Sequence, residues 1–233
     1  MVLRFTTNSV RNGWAAIAGG VLLMLSFGIE LVHPVQEPDG TVLDPVTSAV
    51  VIAMWGLAML CFAATVFHVR ALHQEAETPL SRAGRAGVRL AVAGSTLHVL
   101  FAIMVGVTVV VTGKPWEASF VLFALGFLLL VVGGVLLGFG VRRAAALRAA
   151  AAPFWVGAAA AFAAIAVFTD PWHDAALAVY ASTWIALGTV LRRDGRSSVA
   201  TTRAHLVRAT SNRVSGRRGV SQPFQAIRRP HPR

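Results

Sequence analysis

Few residues of this sequence could do chemistry, and one histidine lies apart from the others. His98 falls about ten residues into an apolar run, roughly 15 Å along a helix that rises 1.5 Å per residue. An ionisable group at that depth in a membrane helix is energetically costly, so it needs a reason. We favour a neutral imidazole that hydrogen-bonds to Ser95, Thr96 or a neighbouring helix. Haem ligation and proton relay are the alternatives.

A haem b site in a helical bundle generally uses two histidines at matching depth. His68 lies at the end of its own apolar run, and at 1.5 Å per residue its depth differs from that of His98 by roughly 10–15 Å. This mismatch does not favour a paired-histidine site, and we predict no cofactor.

A second group of polar residues lies near the ends of the apolar runs. Glu30 and His33 are three residues apart and share a face if their helix continues through both. Carboxylates and imidazoles together can bind a divalent metal. Helix ends are wet, however, and Glu117 and Asp174 begin helices, where the dipole favours an anion, so we predict no metal. The candidates for a polar site are Glu30, His33, His98, Glu117, Asp170 and His173.

Motifs that assemble a catalytic site are missing from the sequence. HExxH, GxSxG, CxxC and the Walker pattern GxxxxGK[ST] do not occur. Cys61 is the single cysteine, which excludes a disulfide framework and a cysteine metal site. We therefore predict no catalytic residue.

Long apolar runs must position these polar residues. The chain has 233 residues, 56% of them hydrophobic and 13% charged, with a mean hydropathy of +0.66, which lies outside the range of soluble domains. Runs of about 20 residues cross a hydrocarbon core roughly 30 Å thick. Continuous rather than alternating runs favour helices over a barrel. We predict an all-α polytopic bundle with spans at 14–32, 46–67, 88–111, 119–141, 154–168 and 175–191.

Basic residues divide the chain and predict its orientation. From Arg192 onward, eleven arginines and one acid give +10 of the net charge of +11. The connections on one side of the predicted membrane are rich in arginine, whereas Lys114 is the only basic residue on the other side. Cytoplasmic loops are enriched in Lys and Arg. We predict a cytoplasmic segment 1–13, a membrane domain 14–191 and a disordered, basic cytoplasmic tail 192–233, with N-in/C-in topology in a bacterial plasma membrane.

Small residues and tryptophans predict how the helices pack. Gly134 and Gly138 form a GxxxG step, and Gly19 and Gly20 each follow an alanine by four residues, spacings that let helix backbones approach in lipid. Tryptophans favour the membrane interface. Trp14 and Trp155 fall at predicted inner ends and Trp116 and Trp172 at outer ends, while Trp55 and Trp184 lie deeper and are predicted to pack between helices.

The residues favour a non-enzymatic membrane component, an accessory subunit or a sensor, because buried polar groups are scarce. One alternative is a small transporter or proton-coupled carrier whose path is lined by His98 and the outer polar group. Another is a membrane enzyme or haem protein that uses His98. The expected partner is the lipid bilayer, and a protein partner or a second copy of the chain is a further candidate. For the basic tail we favour a solvated extension that reinforces the topology, with binding of anionic lipids as the alternative. Nucleic acid is not expected, because the basic tail has Phe224 as its only aromatic residue.

Overall fold

The computed structural model describes residues 2–32, 44–75, 80–143, 145–167 and 172–193. His33, Asp170 and the tail beyond residue 193 lie outside these ranges. Helix dominates the described part of the chain, where no strand occurs. The predicted all-α class is therefore confirmed.

Six long helices follow one another in the described ranges, and each has a stretch long and apolar enough to span a membrane. A 3₁₀ turn at Ala145–Ala150 leads directly into the fifth helix and lengthens that span. The helices are α1 Val2–Val32, α2 Pro45–Glu75, α3 Arg82–Thr112, α4 Ser119–Val141, α5 Ala151–Ala166 and α6 Trp172–Arg193.

Several helices extend beyond the predicted apolar spans. α3 begins at Arg82 rather than at residue 88, and α1 begins at Val2 rather than at residue 14. α6 includes Arg192 and Arg193, the first residues assigned to the predicted tail. The reason is that hydropathy marks the lipid-embedded part of a helix, while its hydrogen bonds continue through polar residues.

Side-chain caps fix where two of the helices begin. Asp44 precedes α2, and its carboxylate accepts hydrogen bonds from Val46 N at 3.0 Å and Thr47 Oγ1 at 2.6 Å. The hydrogen bond from the Thr47 hydroxyl, with the two backbone N–H groups, lowers the pKa of the Asp44 carboxyl. Ser81 Oγ accepts from Gly84 N at 3.1 Å and caps α3 in the same way. α2 therefore begins at Pro45, one residue before the span predicted from residue 46.

Neighbouring helices along the chain run antiparallel. Gly19 of α1 lies against Phe62 of α2, whereas Phe27, two turns further along α1, contacts Trp55, which lies earlier in α2. The same reversed order holds at each of the next four helix pairs. The paired residues are Gly56/Ala102 and Ile52/Gly106 at α2–α3, Gly84/Gly140 and Gly94/Gly126 at α3–α4, Gly134/Ala158 and Gly138/Trp155 at α4–α5, and Gly157/Thr183 and Ala164/His173 at α5–α6.

The last helix closes the bundle against the first. Gly13 of α1 lies against Gly188 of α6, and Gly20 lies against Ala181, so α1 and α6 are also antiparallel. The guanidinium of Arg192 lies 3.8 Å from the centre of the Trp14 ring, a cation–π contact that joins the same two helices. The six helices therefore form a closed up-and-down ring.

The closure sorts the helix ends by charge. Arg82, Arg142 and Arg192 lie where α3 begins and where α4 and α6 end, which the antiparallel order places together. We call this the arginine end and the opposite one the far end. The far end contains the end of α1 and the beginnings of α2, α4 and α6.

Glycines set the closest approach between α3 and α4. A Cβ atom on Gly87 would lie 2.7 Å from Leu137 N and 2.9 Å from Gly133 O, both backbone atoms of α4. Gly94 and Gly126 approach each other in the same way further along the pair. Small residues thus permit backbone contact between helices, as predicted for membrane packing.

Candidate functional site

The bundle contains a cavity of about 610 Å³ at its far end, and all six helices contribute to its wall. Its polar lining residues, Glu30, Ser48, His173 and Asp174, lie near the helix ends, and we call this part of the cavity its mouth. The remaining wall is apolar or aromatic and consists of Phe27, Val51, Ile52, Trp55, Phe101, Val105, Phe120, Phe123, Ala124, Phe127, Ala164, Ile165 and Leu177.

The cavity extends well into the bundle. Trp55 lies ten residues after Pro45, the first residue of α2, which corresponds to about 15 Å of helix. Only 8% of the Trp55 surface is exposed, and 1% of that of Phe127. These two side chains form the floor.

Aromatic rings pack against one another around the floor. The Trp55 ring lies 5.4 Å from Phe27 and 5.6 Å from Phe123, measured between ring centres, and Phe123 lies 4.9 Å from Phe127. Such edge and tilted contacts hold each ring by its neighbours. The floor and the wall directly above it therefore form one packed aromatic surface, to which α1, α2 and α4 contribute.

His98 lies behind this floor and is fully buried. Its ring is stacked on Trp55 at 6.0 Å and lies edge-on to Phe127 at 4.8 Å. Nδ1 donates to Gly94 O at 2.9 Å, because a carbonyl can only accept. His98 therefore packs within the helix bundle, as favoured from the sequence, but its partner is the carbonyl four residues back rather than Ser95 or Thr96.

Several buried polar atoms near this depth have no hydrogen-bond partner among the described residues. They include Ser95 Oγ, the donor Trp55 Nε1, and His98 Nε2, which is left as an acceptor when Nδ1 carries the proton of a neutral ring. Buried polar atoms of native proteins are paired in the great majority of cases. Trp55 lines the cavity with its ring, whereas Nε1 itself is buried and is not exposed to the cavity.

The structure does not bring His68 and His98 together. Trp55 stacks on His98, and His68 lies thirteen residues further along α2, about 20 Å along the helix axis. Aromatic side chains occupy the space around the His98 ring. This arrangement does not favour a haem held by the two histidines.

Only part of the predicted polar site is assembled. Glu30 and His173 line the mouth together with Asp174, and His173 Nδ1 donates to Ala164 O at 2.8 Å, which ties α6 to α5. Glu117 is exposed and does not line the cavity. Within the described ranges, no group of three or more His, Cys, Asp or Glu residues could hold a metal ion.

Sequence reasoning missed the aromatic wall. Phe120, Phe123 and Phe127 occupy positions i, i+3 and i+7 of α4 and so lie on one helical face. That spacing was visible in the sequence, but an apolar residue within an apolar span gives no sign of whether it faces lipid, a neighbouring helix or a cavity. The deep tryptophans Trp55 and Trp184 pack between helices as predicted.

Comparison with known proteins gives no analogy for this cavity. No protein-family model, curated protein or solved structure matches the chain. What the protein does is therefore inferred from the shape, walls and charge of the cavity.

Proposed function

We propose that the protein is a non-enzymatic membrane component, a sensor or an accessory subunit, that binds a small and largely apolar molecule in the far-end cavity. The observation that carries this proposal is a cavity of about 610 Å³ to which all six helices contribute. Its volume lies within the roughly 300–1,000 Å³ of small-molecule sites, and its apolar wall with few polar groups is typical of them.

The contribution of every helix supports a sensing role. A ligand at the centre of the ring touches α1 to α6 at once, so its binding stabilises one arrangement of the helices over others. A ligand shifts such an equilibrium by the difference between its affinities for the two arrangements. A partner protein in contact with the outside of the bundle would respond to that change.

A second candidate function is a small carrier, and the one-sided position of the cavity favours it. Below the floor, Phe62 and Trp184 stack at 3.8 Å between ring centres and fill the bundle. A space lined by Trp184 and Tyr180 at this level has only about 20 Å³, room for a single water molecule. A carrier with alternating access has such a binding site, open towards one side and closed towards the other.

Binding of a neutral probe tests the proposed function. We expect N-phenyl-1-naphthylamine, an uncharged fluorophore that brightens in apolar surroundings, to bind the detergent-purified protein saturably at one site per chain. A signal that rises linearly, as it does with empty micelles, would overturn the proposal. Loss of an entrapped substrate from proteoliposomes, measured separately, would distinguish a carrier from a sensor.

We further propose that the protein lies in the plasma membrane with its arginine end in the cytoplasm. The arginine-rich helix ends support this orientation, because positive residues are retained on the cytoplasmic side. Arg142, Arg148 and Trp155 also line a recess of about 460 Å³ at this end, a combination suited to the headgroups of anionic lipids, to which the basic tail would add.

Cysteine labelling tests the orientation. In a Cys61→Ser background, Val46→Cys marks the far end and Arg143→Cys the arginine end, and both positions are exposed. A membrane-impermeant maleimide added to intact cells should label Val46→Cys, and should label Arg143→Cys only after permeabilisation. The reversed pattern would contradict the proposed topology.

A further inference from the structure

We infer that the far-end cavity selects lipophilic cations, molecules whose positive charge is carried on an apolar body. This inference rests on the proposed function and specifies the class of its ligand. It combines the charge of the mouth with the aromatic wall and floor of the cavity.

Carboxylates give the mouth a negative charge. Glu30 and Asp174 both line the cavity, and no Lys or Arg does so among the described residues. The charge extends over the far end, where the described residues include four acids, Glu30, Asp44, Glu117 and Asp174, and Lys114 as the one base, a formal charge of 1 − 4 = −3. A cleft of one sign with apolar walls concentrates counter-ions of the other sign.

Aromatic faces continue this preference below the mouth. Phe27, Phe101 and Phe123 line the cavity above the Trp55 floor. The face of an aromatic ring attracts a cation through its quadrupole, and indole does so most strongly. The same rings bury the apolar body of the ligand, so the wall suits both halves of a lipophilic cation. Within the described ranges, no Lys or Arg lines the cavity to attract an anion.

The floor adds no group that would attract an anion. Trp55 is 8% exposed and lines the cavity with its ring, whereas its Nε1 atom is itself buried, so a ligand meets the ring rather than the N–H group. The balance of the cavity is therefore set by the two carboxylates and the aromatic rings, and it favours cations.

Two probes of nearly equal shape and opposite charge test the inference. Tetraphenylphosphonium and tetraphenylborate each displace the neutral naphthylamine probe if they enter the same cavity. After correction for partition into empty micelles of an uncharged detergent, we expect the cation to displace the probe at least tenfold more effectively than the anion. Equal displacement by both ions would overturn the inference and leave the proposed function intact. No saturable binding of any probe would overturn both.

Variants at the mouth test which side chains give the cavity its preference for cations. Asp174→Asn and Glu30→Gln should each reduce the preference for the cation about three- to tenfold while the neutral probe still binds. Two variants are used because one of them could fail to fold, and binding of the neutral probe reports folding directly. Glu117→Gln removes an exposed carboxylate at the same end that does not line the cavity, so it should leave the preference within twofold. An unchanged preference in both mouth variants would contradict the assignment.

Discussion

Ala124→Trp is expected to abolish saturable binding of the neutral probe. Ala124 lies on α4 between Phe123 and Phe127 in the wall of the cavity, so an indole at this position extends into the space that a ligand would occupy. Affinity should fall at least tenfold, which corresponds to about 1.4 kcal/mol of binding free energy. Fluorescence titration of the purified variant measures this loss.

Leu125→Trp is the matched control for this variant. It introduces the same side chain on the next residue of α4, where Leu125 is 44% exposed and does not line the cavity. We expect its affinity for the probe to stay within twofold of the unmodified protein. Equal binding by both variants would show that the probe occupies another part of the molecule.

Gly87→Leu should destabilise the bundle more than a leucine introduced at an exposed or loosely packed glycine. A Cβ atom there would lie 2.7 Å from Leu137 N and 2.9 Å from Gly133 O. These are backbone atoms of α4 and cannot rotate away, so the helices must separate. Overpacking of this kind typically costs about 1–3 kcal/mol, which lowers the melting temperature of a domain of this size by roughly 2–12 °C. Thermal unfolding in detergent measures the shift.

Gly28→Leu provides the control at a glycine of α1. No atom lies within 4 Å of the place where its Cβ would be, and replacing a helical glycine by leucine favours the helix by somewhat less than about 1 kcal/mol. This variant should be as stable as the unmodified protein or slightly more stable. A similar fall in melting temperature for both variants would indicate that helix contact at Gly87 is not the cause.

The membrane-embedded parts of the fold could be predicted from the sequence because a lipid core imposes a minimum length on each apolar run. All six spans are confirmed as helices. Their ends could not be fixed in the same way. The first turns of α3 contain Arg82, Arg85 and Arg89, which interrupt the apolar run and yet continue the helix.

The candidate site was less predictable because it depends on which helices are neighbours. Glu30 and His173 come from the first and last helices, and only the closure of the ring brings them to one mouth. That closure rests on contacts such as Gly13 with Gly188 and Gly20 with Ala181. A glycine within one span gives no indication of the span it will meet, so convergence at the mouth was not visible in the sequence.

The contact of Arg192 with Trp14 has a consequence for how the chain is connected. α6 adjoins α1 and runs antiparallel to it, so the order of helices is cyclic. The step from α6 to α1 is therefore equivalent to the step between any other two neighbouring helices. A permuted gene that links α6 to α1 and opens the chain between α3 and α4 would encode the same neighbours throughout. The packing of the ring would thus be the same whichever connection is opened.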